Sequence, residues 1–124
     1  MMAAGKLNER FAFDVSEQVR KPGGVMSDVW VERHNARAEL IYSSGSEVVD
    51  AARLEGRAIY KLRIRQCAAA RQITADWRAR DVRRGLPIGV SGDELPGTRY
   101  SIGEVDSITD RAWVYIMIES GKVA

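Results

Sequence analysis

The side chains able to do chemistry are few and scattered. Among 124 residues there is one cysteine, Cys67, and one histidine, His34. A cysteine nucleophile is usually activated by a neighbouring imidazole, but nothing in the linear spacing joins these two, so only the fold could pair them. Cys67, in a small-residue segment, reads as structural and His34 as a strand-edge residue. Two such residues cannot make the standard four-ligand zinc set. Asp106 with Asp110, or Asp76 with Asp81, are close enough in sequence to pair for hydrolysis or for a metal, yet carboxylates so placed on strands and turns are expected on a solvated surface. No GxxxxGK[ST] loop and no GxGxxG after a strand occurs. Ser44-Gly45-Ser46 does not meet the G-x-S-x-G pattern of a nucleophile turn. The expectation is a protein without catalytic residues, cofactor or metal.

Binding chemistry is better represented. Lys61, Arg63 and Arg65 recur at period two, so a strand would present them as a row of cations from one side of a sheet. Such a row suits DNA phosphates or an acidic neighbouring protein. It also suits a solvated face with cross-strand partners such as Glu39. Aromatic residues are not interleaved among these cations, which argues against a stacking surface for single-stranded nucleic acid.

The elements that must carry these residues are mostly strands. Arg10 to Val15 alternates, with Phe11, Phe13 and Val15 on one side, and Lys21-Pro22-Gly23-Gly24 supplies a turn. Val29 to Ile41 reads as a long strand with Trp30, Ala36, Ala38 and Leu40 on one face. Glu32 and His34 spoil that face near its start, where a bulge would explain them. Ser44 and Glu47 have the spacing of a helix capping box, with Val48, Ala51 and Ala52 on one stripe and Gly56 past the end. Arg57 to Arg65 is the clearest strand, burying Ala58, Tyr60, Leu62 and Ile64.

Cys67 to Ala70 breaks the pattern, and Ile73 to Val82 is expected to hold another strand, with Trp77 and Val82 of opposite parity. Arg83 to Thr98, rich in Gly and Pro, reads as a long loop. Tyr100 and Ile102 alternate, and a bulge near Gly103 would return Val105 to the inner face. After a turn at Ser107 to Arg111, Ala112 to Glu119 closes the chain as a strand. Val114, Ile116 and Ile118 line one side of it, and Trp113, Tyr115 and Met117 the other. Both sides must be covered, by the same chain or by a neighbouring subunit. About six strands and one short helix in a loop predict a mainly β, small antiparallel barrel or sandwich, one domain over residues 1–124.

Composition narrows the class. Lys and Arg total 19 against 17 Asp and Glu, a formal net charge of +2, too balanced for nucleic-acid binding by whole-chain charge. Arginines crowd Arg53 to Arg84, while Asp93, Glu94, Glu104, Asp106 and Asp110 follow. This fits either a mixed solvated surface or one positive and one negative face, as subunits packed head-to-tail around a ring would use. Lys6, Asn8, Glu9 and Arg10 interrupt any signal-peptide core, and Ala112 to Ile118 is too short to span a bilayer. With a single cysteine, the expectation is a soluble intracellular product in a reducing compartment, with no membrane partner.

Several segments, in order, resemble the tailed-phage head–tail joining family, also described as head-closure or stopper proteins. Gly5-Lys6-Leu7-Asn8-Glu9-Arg10 is similar to its G-x-L-x-x-R start. Trp30, Arg37-Ala38-Glu39-Leu40 and Ser44-Gly45-Ser46-Glu47 follow, the last like its S-G-x-E pattern. Leu62-Arg63-Ile64-Arg65 resembles its basic central strand, and Tyr100 to Val105 its Y-x-I-x-x-V segment. Arg83 to Thr98 departs, being longer and richer in Gly and Pro.

The resemblance implies a ring subunit of the virion neck, made in the host cytoplasm during assembly and present in six or twelve copies. Its partners would be other copies of itself, portal and adaptor proteins, tail terminator or tube proteins, and double-stranded DNA passing through the channel. The implied chemistry is binding alone, closing the filled head and docking the tail. On this reading Ser44, Glu47, Val48, Asp50 and Arg53 face the channel or adaptor. Lys61, Arg63 and Arg65 contact a subunit or DNA, and Trp113, Tyr115 and Met117 form an apolar interface. The alternatives are a tail-completion or terminator protein and a nucleic-acid-binding β-barrel module.

Overall fold

Six strands close into one antiparallel barrel in the computed structural model, which describes residues 7–42, 58–83 and 97–120. They are β1 (Glu9–Arg20), β2 (Met26–Tyr42), β3 (Ile59–Arg65), β4 (Arg78–Asp81), β5 (Thr98–Asp106) and β6 (Trp113–Glu119), with a short 3-10 turn at Ala70–Gln72. Around the barrel the order is β1-β2-β3-β6-β5-β4. Closure removes the open edges that a flat sheet of this size would expose.

Alternation builds the core. Phe11 and Phe13 of β1, Leu62 and Ile64 of β3, and Val114, Ile116 and Ile118 of β6 are fully buried, with Ala38, Ala79, Tyr100 and Ile102 completing the cluster. Tyr60 meets Tyr100 edge-on, ring centroids 6.0 Å apart. Each of these isoleucines and phenylalanines removes enough apolar area from water to stabilise the fold by about 1.5–3 kcal/mol.

Two irregularities anticipated from the residue pattern are present. The β5–β6 register shifts between Ile102 and Glu104, leaving Gly103 as the extra residue and restoring Val105 to the inner side against Ile116. The β1–β2 register shifts between Phe13 and Asp14: Phe13 faces His34 but Asp14 faces Glu32, so Arg33 is the bulged residue. That bulge corrects the expected face of β2. Ala36, Ala38 and Leu40 do line the core, but Glu32 and Trp30 swing to the outer side with Asp14.

Other boundaries differ from expectation. β1 runs on to Arg20, and the turn is tight, with the Lys21 N–H donating to the Val25 carbonyl at 2.7 Å. Gly23 and Gly24 supply the positive φ values, 91° and 82°, that this reversal needs. The strand expected over Ile73 to Val82 is only Arg78–Asp81. Ile73 instead ends the 3-10 turn, and Trp77 packs against the core from the segment before β4. The expected capping segment and short helix from Ser44 onward lie outside the described residues, as do Arg57 and most of the Arg83 to Thr98 loop.

The strand order sorts the connections between two ends. The β1–β2 hairpin, the β3–β4 connection and the β5–β6 turn share one end. β2 and β4 run toward the opposite end, from which β3 and β5 start. β1 pairs with β4 only over Phe11 to Asp14, and β2 with β3 only over Ala38 to Tyr42. Beyond these points, among the described residues, β1 and β2 pair only with each other, out to Arg20 and Met26. A two-stranded arm therefore projects past the barrel wall.

Candidate interaction surface

The outer wall of β3 and β6 brings the expected cation row and the expected apolar row together. In register, Lys61 lies opposite Met117, Arg63 opposite Tyr115 and Arg65 opposite Trp113. Their side chains interlock, Arg63 and Lys61 diagonally and Arg65 with its direct partner. The Arg63 guanidinium lies 4.1 Å from the Trp113 ring centroid, Arg65 lies 5.2 Å from the same ring, and the Lys61 ammonium lies 5.5 Å from that of Tyr115. No aromatic is interleaved among the cations along β3, and the rings beside them come from β6, the next strand. Trp, Tyr and Arg are the side chains that dominate protein interfaces.

The expected cross-strand partner is also in place. Glu39 is in register with Arg63, and their charged groups are 2.7 Å apart. Arg63 is therefore held and neutralised within the wall, whereas Lys61 and Arg65 are exposed.

Across β6 the wall turns acidic. Glu104 of β5 lies opposite Met117 and Asp106 opposite Tyr115. These residues, with Lys61, Val105, Ile108 and Thr109, line an open groove of about 620 Å³. Asp106 accepts hydrogen bonds from the Ile108 and Thr109 N–H groups, both at 3.0 Å, and these bonds hold its carboxyl below the ordinary value of 3.8. Asp110 accepts from the Ala112 N–H at 2.7 Å. Each of these carboxylates organises the β5–β6 turn. The Gln66 amide pins that turn to the end of β3 by donating to the carbonyls of Ser107, Asp110 and Trp113 at 3.1–3.3 Å.

At the root of the arm sits a buried ionic cluster that the strand pattern did not reveal. Asp14 Oδ2 receives Arg78 Nη2 at 2.9 Å and Arg80 Nε at 3.1 Å, and Arg80 Nη2 reaches Glu32 Oε1 at 2.6 Å. Arg78 also stacks on Trp30 of the arm, 4.5 Å from the ring centroid. Asp14 is fully buried and both arginines nearly so. Burial pulls the Arg78 guanidinium down, against the raising influence of Asp14. For Arg80, burial acts the same way, but Asp14 and Glu32 together outweigh it and the net shift is upward. The available signal was a polar Asp14 inside the apolar run Phe11 to Val15, and two arginines at period two flanking a core alanine.

The fold does bring His34 and Cys67 together, Nε2 to Sγ 3.9 Å. The imidazole stacks on Phe13, and burial lowers its basicity. The sulfur accepts the Ala70 N–H at 3.4 Å. Among the described residues, no carboxylate is hydrogen-bonded to the other ring nitrogen, so the third, orienting group that marks an activated pair is not seen there. The Asp76 and Asp81 pairing does not form a site either. Asp76 is exposed, and Asp81 is buried with Oδ1 accepting the Arg83 N–H. No group of three or more His, Cys, Asp or Glu residues that could hold a metal occurs among the described residues. No described helix is long and apolar enough to cross a membrane. Ser44, Glu47, Val48, Asp50 and Arg53 lie outside the described residues.

Two solved structures share this architecture. The solution structure of protein SF1141 from Shigella flexneri 2a superposes with a TM-score of 0.61 at 21% identity, covering 97% of each chain. A chain of the virion of a native gene transfer agent particle superposes with a TM-score of 0.55 at 20% identity, covering 94% of this chain and 96% of that one. Both likenesses concern the fold. No curated protein matches the sequence. The family model of the phage head completion proteins matches residues 2–121, nearly the whole chain, and the protein belongs to that family.

Proposed function

We propose that this chain is a structural subunit of the virion neck, forming a ring between portal or adaptor and tail. In that position it closes the DNA-filled head and offers the tail its docking surface. The observation that carries this reading is the head completion family match over residues 2–121. The barrel supports it: its outer wall sets half-buried aromatics beside cations, a composition suited to binding rather than turnover. On this reading Trp113, Tyr115 and Met117, with Lys61 and Arg65, contact a neighbouring protein. The loop carrying Ser44, Glu47, Val48, Asp50 and Arg53 faces the channel or adaptor; cross-links placing it only on the ring's outer surface would remove that assignment.

The test uses DNA-filled, tailless heads from particles lacking the protein. Added protein should restore both DNA retention and tail attachment. Tails restored without any gain in retention would move the protein to a tail-completion role. Failure to bind heads would end the neck reading.

One observation favours a second reading, nucleic-acid binding: Arg63 and Arg65 both lie against Trp113. Since Glu39 already neutralises Arg63, Lys61 and Arg65 leave two cations for phosphates. The salt dependence of duplex binding would then have a logarithmic slope of only about −1.8. Submicromolar duplex affinity with a slope at least this steep, reduced by Lys61→Ala and Arg65→Ala, would favour this reading.

A further inference from the structure

We propose that the tip of the β1–β2 arm of one copy docks in the β5–β6 groove of the next, so that ring subunits join head to tail. This rests on the ring reading above and names the contact that would build it. The arm is an incomplete structure by itself. From Val15 to Arg20, β1 has β2 on one side and no described strand on the other. Two-stranded ribbons are marginal in water. The tip is apolar and basic: Val25 and Met26 are 63% and 50% exposed, beside Arg20 and Lys21.

The groove offers the complement. Glu104 and Asp106 supply negative charge, Met117 and Tyr115 an apolar floor, and Ile108, 91% exposed, an apolar rim. Lys61 closes the far side over Tyr115, which leaves the acidic side open to Arg20 and Lys21. Asp28, on the arm opposite Gln18, is far enough down the ribbon to stay off the tip.

Topology supplies the direction. In the order β1-β2-β3-β6-β5-β4, the β1–β2 pair stands directly across the barrel from the β6–β5 pair. Arm tip and groove also belong to the same end of the barrel, because the hairpin and the β5–β6 turn do. A contact between two different surfaces on opposite walls is heterologous, and its repetition closes a ring when the rotation from copy to copy divides a full turn. The two anchors keep its parts in place: the Asp14 cluster orients the arm's root, and Gln66 holds the groove's rim.

The test is disulfide trapping in the full chain. Met26→Cys and Ile108→Cys are combined with Cys67→Ser, and the protein is oxidised free in solution and again after binding to completion-deficient heads. The expected result is a ladder of covalent multimers that needs both engineered thiols. In addition, Glu104→Lys should weaken the ladder about tenfold and Arg20→Glu should restore it. Head-bound protein that gives no ladder overturns this contact while the neck reading stands. Dimers formed with either thiol alone would mean a symmetric contact and overturn it as well. If the protein does not bind heads, the neck reading fails, and the solution sample decides: a ladder keeps the arm-to-groove contact and its absence removes it.

Discussion

Arg78 faces Asp14 across the β1–β4 ladder, its guanidinium 2.9 Å from the carboxylate, at the residue where the β1–β2 register slips. The bulge turns Asp14 and Glu32 outward together, and the two β4 arginines close over them. One buried carboxylate thus serves two buried cations, and it does so where the arm leaves the barrel.

Removing that carboxylate strands both cations. Asp14→Ala should lower unfolding free energy by about 3–5 kcal/mol, since breaking a buried pair leaves uncompensated charge. Glu32 is 41% exposed on its side chain, so Glu32→Ala should cost about 1 kcal/mol or less. Urea denaturation of the two variants checks the contrast, and equal losses would mean that Asp14 is not the centre of the cluster.

Stability should fall in two steps on acidification. Burial lowers the folded pKa of His34 below its ordinary 6.5. The unfolded chain then binds the proton more readily, and stability present above 6.5 declines as pH falls from there toward the folded value. His34→Gln should abolish this step. Asp106 has a folded pKa below its ordinary 3.8, so its contribution is present above 3.8 and is lost as pH falls through the folded value. Asp106→Asn should remove that second step only, as read from denaturation midpoints across pH.

Glycine substitutions should separate a strained site from a tolerant one. Gly97 has φ of 122°, and a Cβ there would stand 2.6 Å from the Asp81 carbonyl oxygen. Gly97→Ala should cost about 1–3 kcal/mol from backbone strain alone, with the clash in addition. At the Gly103 bulge the nearest atom would be 3.8 Å away, so Gly103→Ala should change stability by less than about 0.5 kcal/mol. Thermal melts of both variants decide.

The barrel was legible because period-two alternation survives in β3, β5 and β6, and because Gly103 announces its own bulge. Glu39 as partner of Arg63 was legible too, since both lie on outward parity. Three features were not. The arm continues past Val15 through Ser16, Glu17 and Gln18, polar residues that no core demands. The strand at Arg78–Asp81 is buried on both sides, yet three of its four residues are charged, which hides it from hydropathy. The contact between Trp113 and the β3 cations depends on strand order, which local pattern does not encode.

Trp113→Ala is the variant that separates the wall's contribution to folding from its contribution to joining. The ring stacks on Arg63 and Arg65, and each such contact is worth about 0.5–1 kcal/mol at a partly exposed site. The loss of stability should therefore stay near 1–2 kcal/mol, leaving the barrel folded at 25 °C. Val114 and Ile116, fully buried behind it, keep their packing. If the wall is where a neighbour binds, truncating its largest aromatic removes an anchor whose loss typically costs 2 kcal/mol or more of binding, roughly a thirtyfold fall in apparent affinity. The measurement is tail attachment to filled heads titrated with wild-type or Trp113→Ala protein, with circular dichroism confirming the fold. A folded variant that joins tails at wild-type concentrations would take the Trp113 end of this wall out of the interface and leave the arm and the groove over Tyr115 and Met117 as its remaining surfaces.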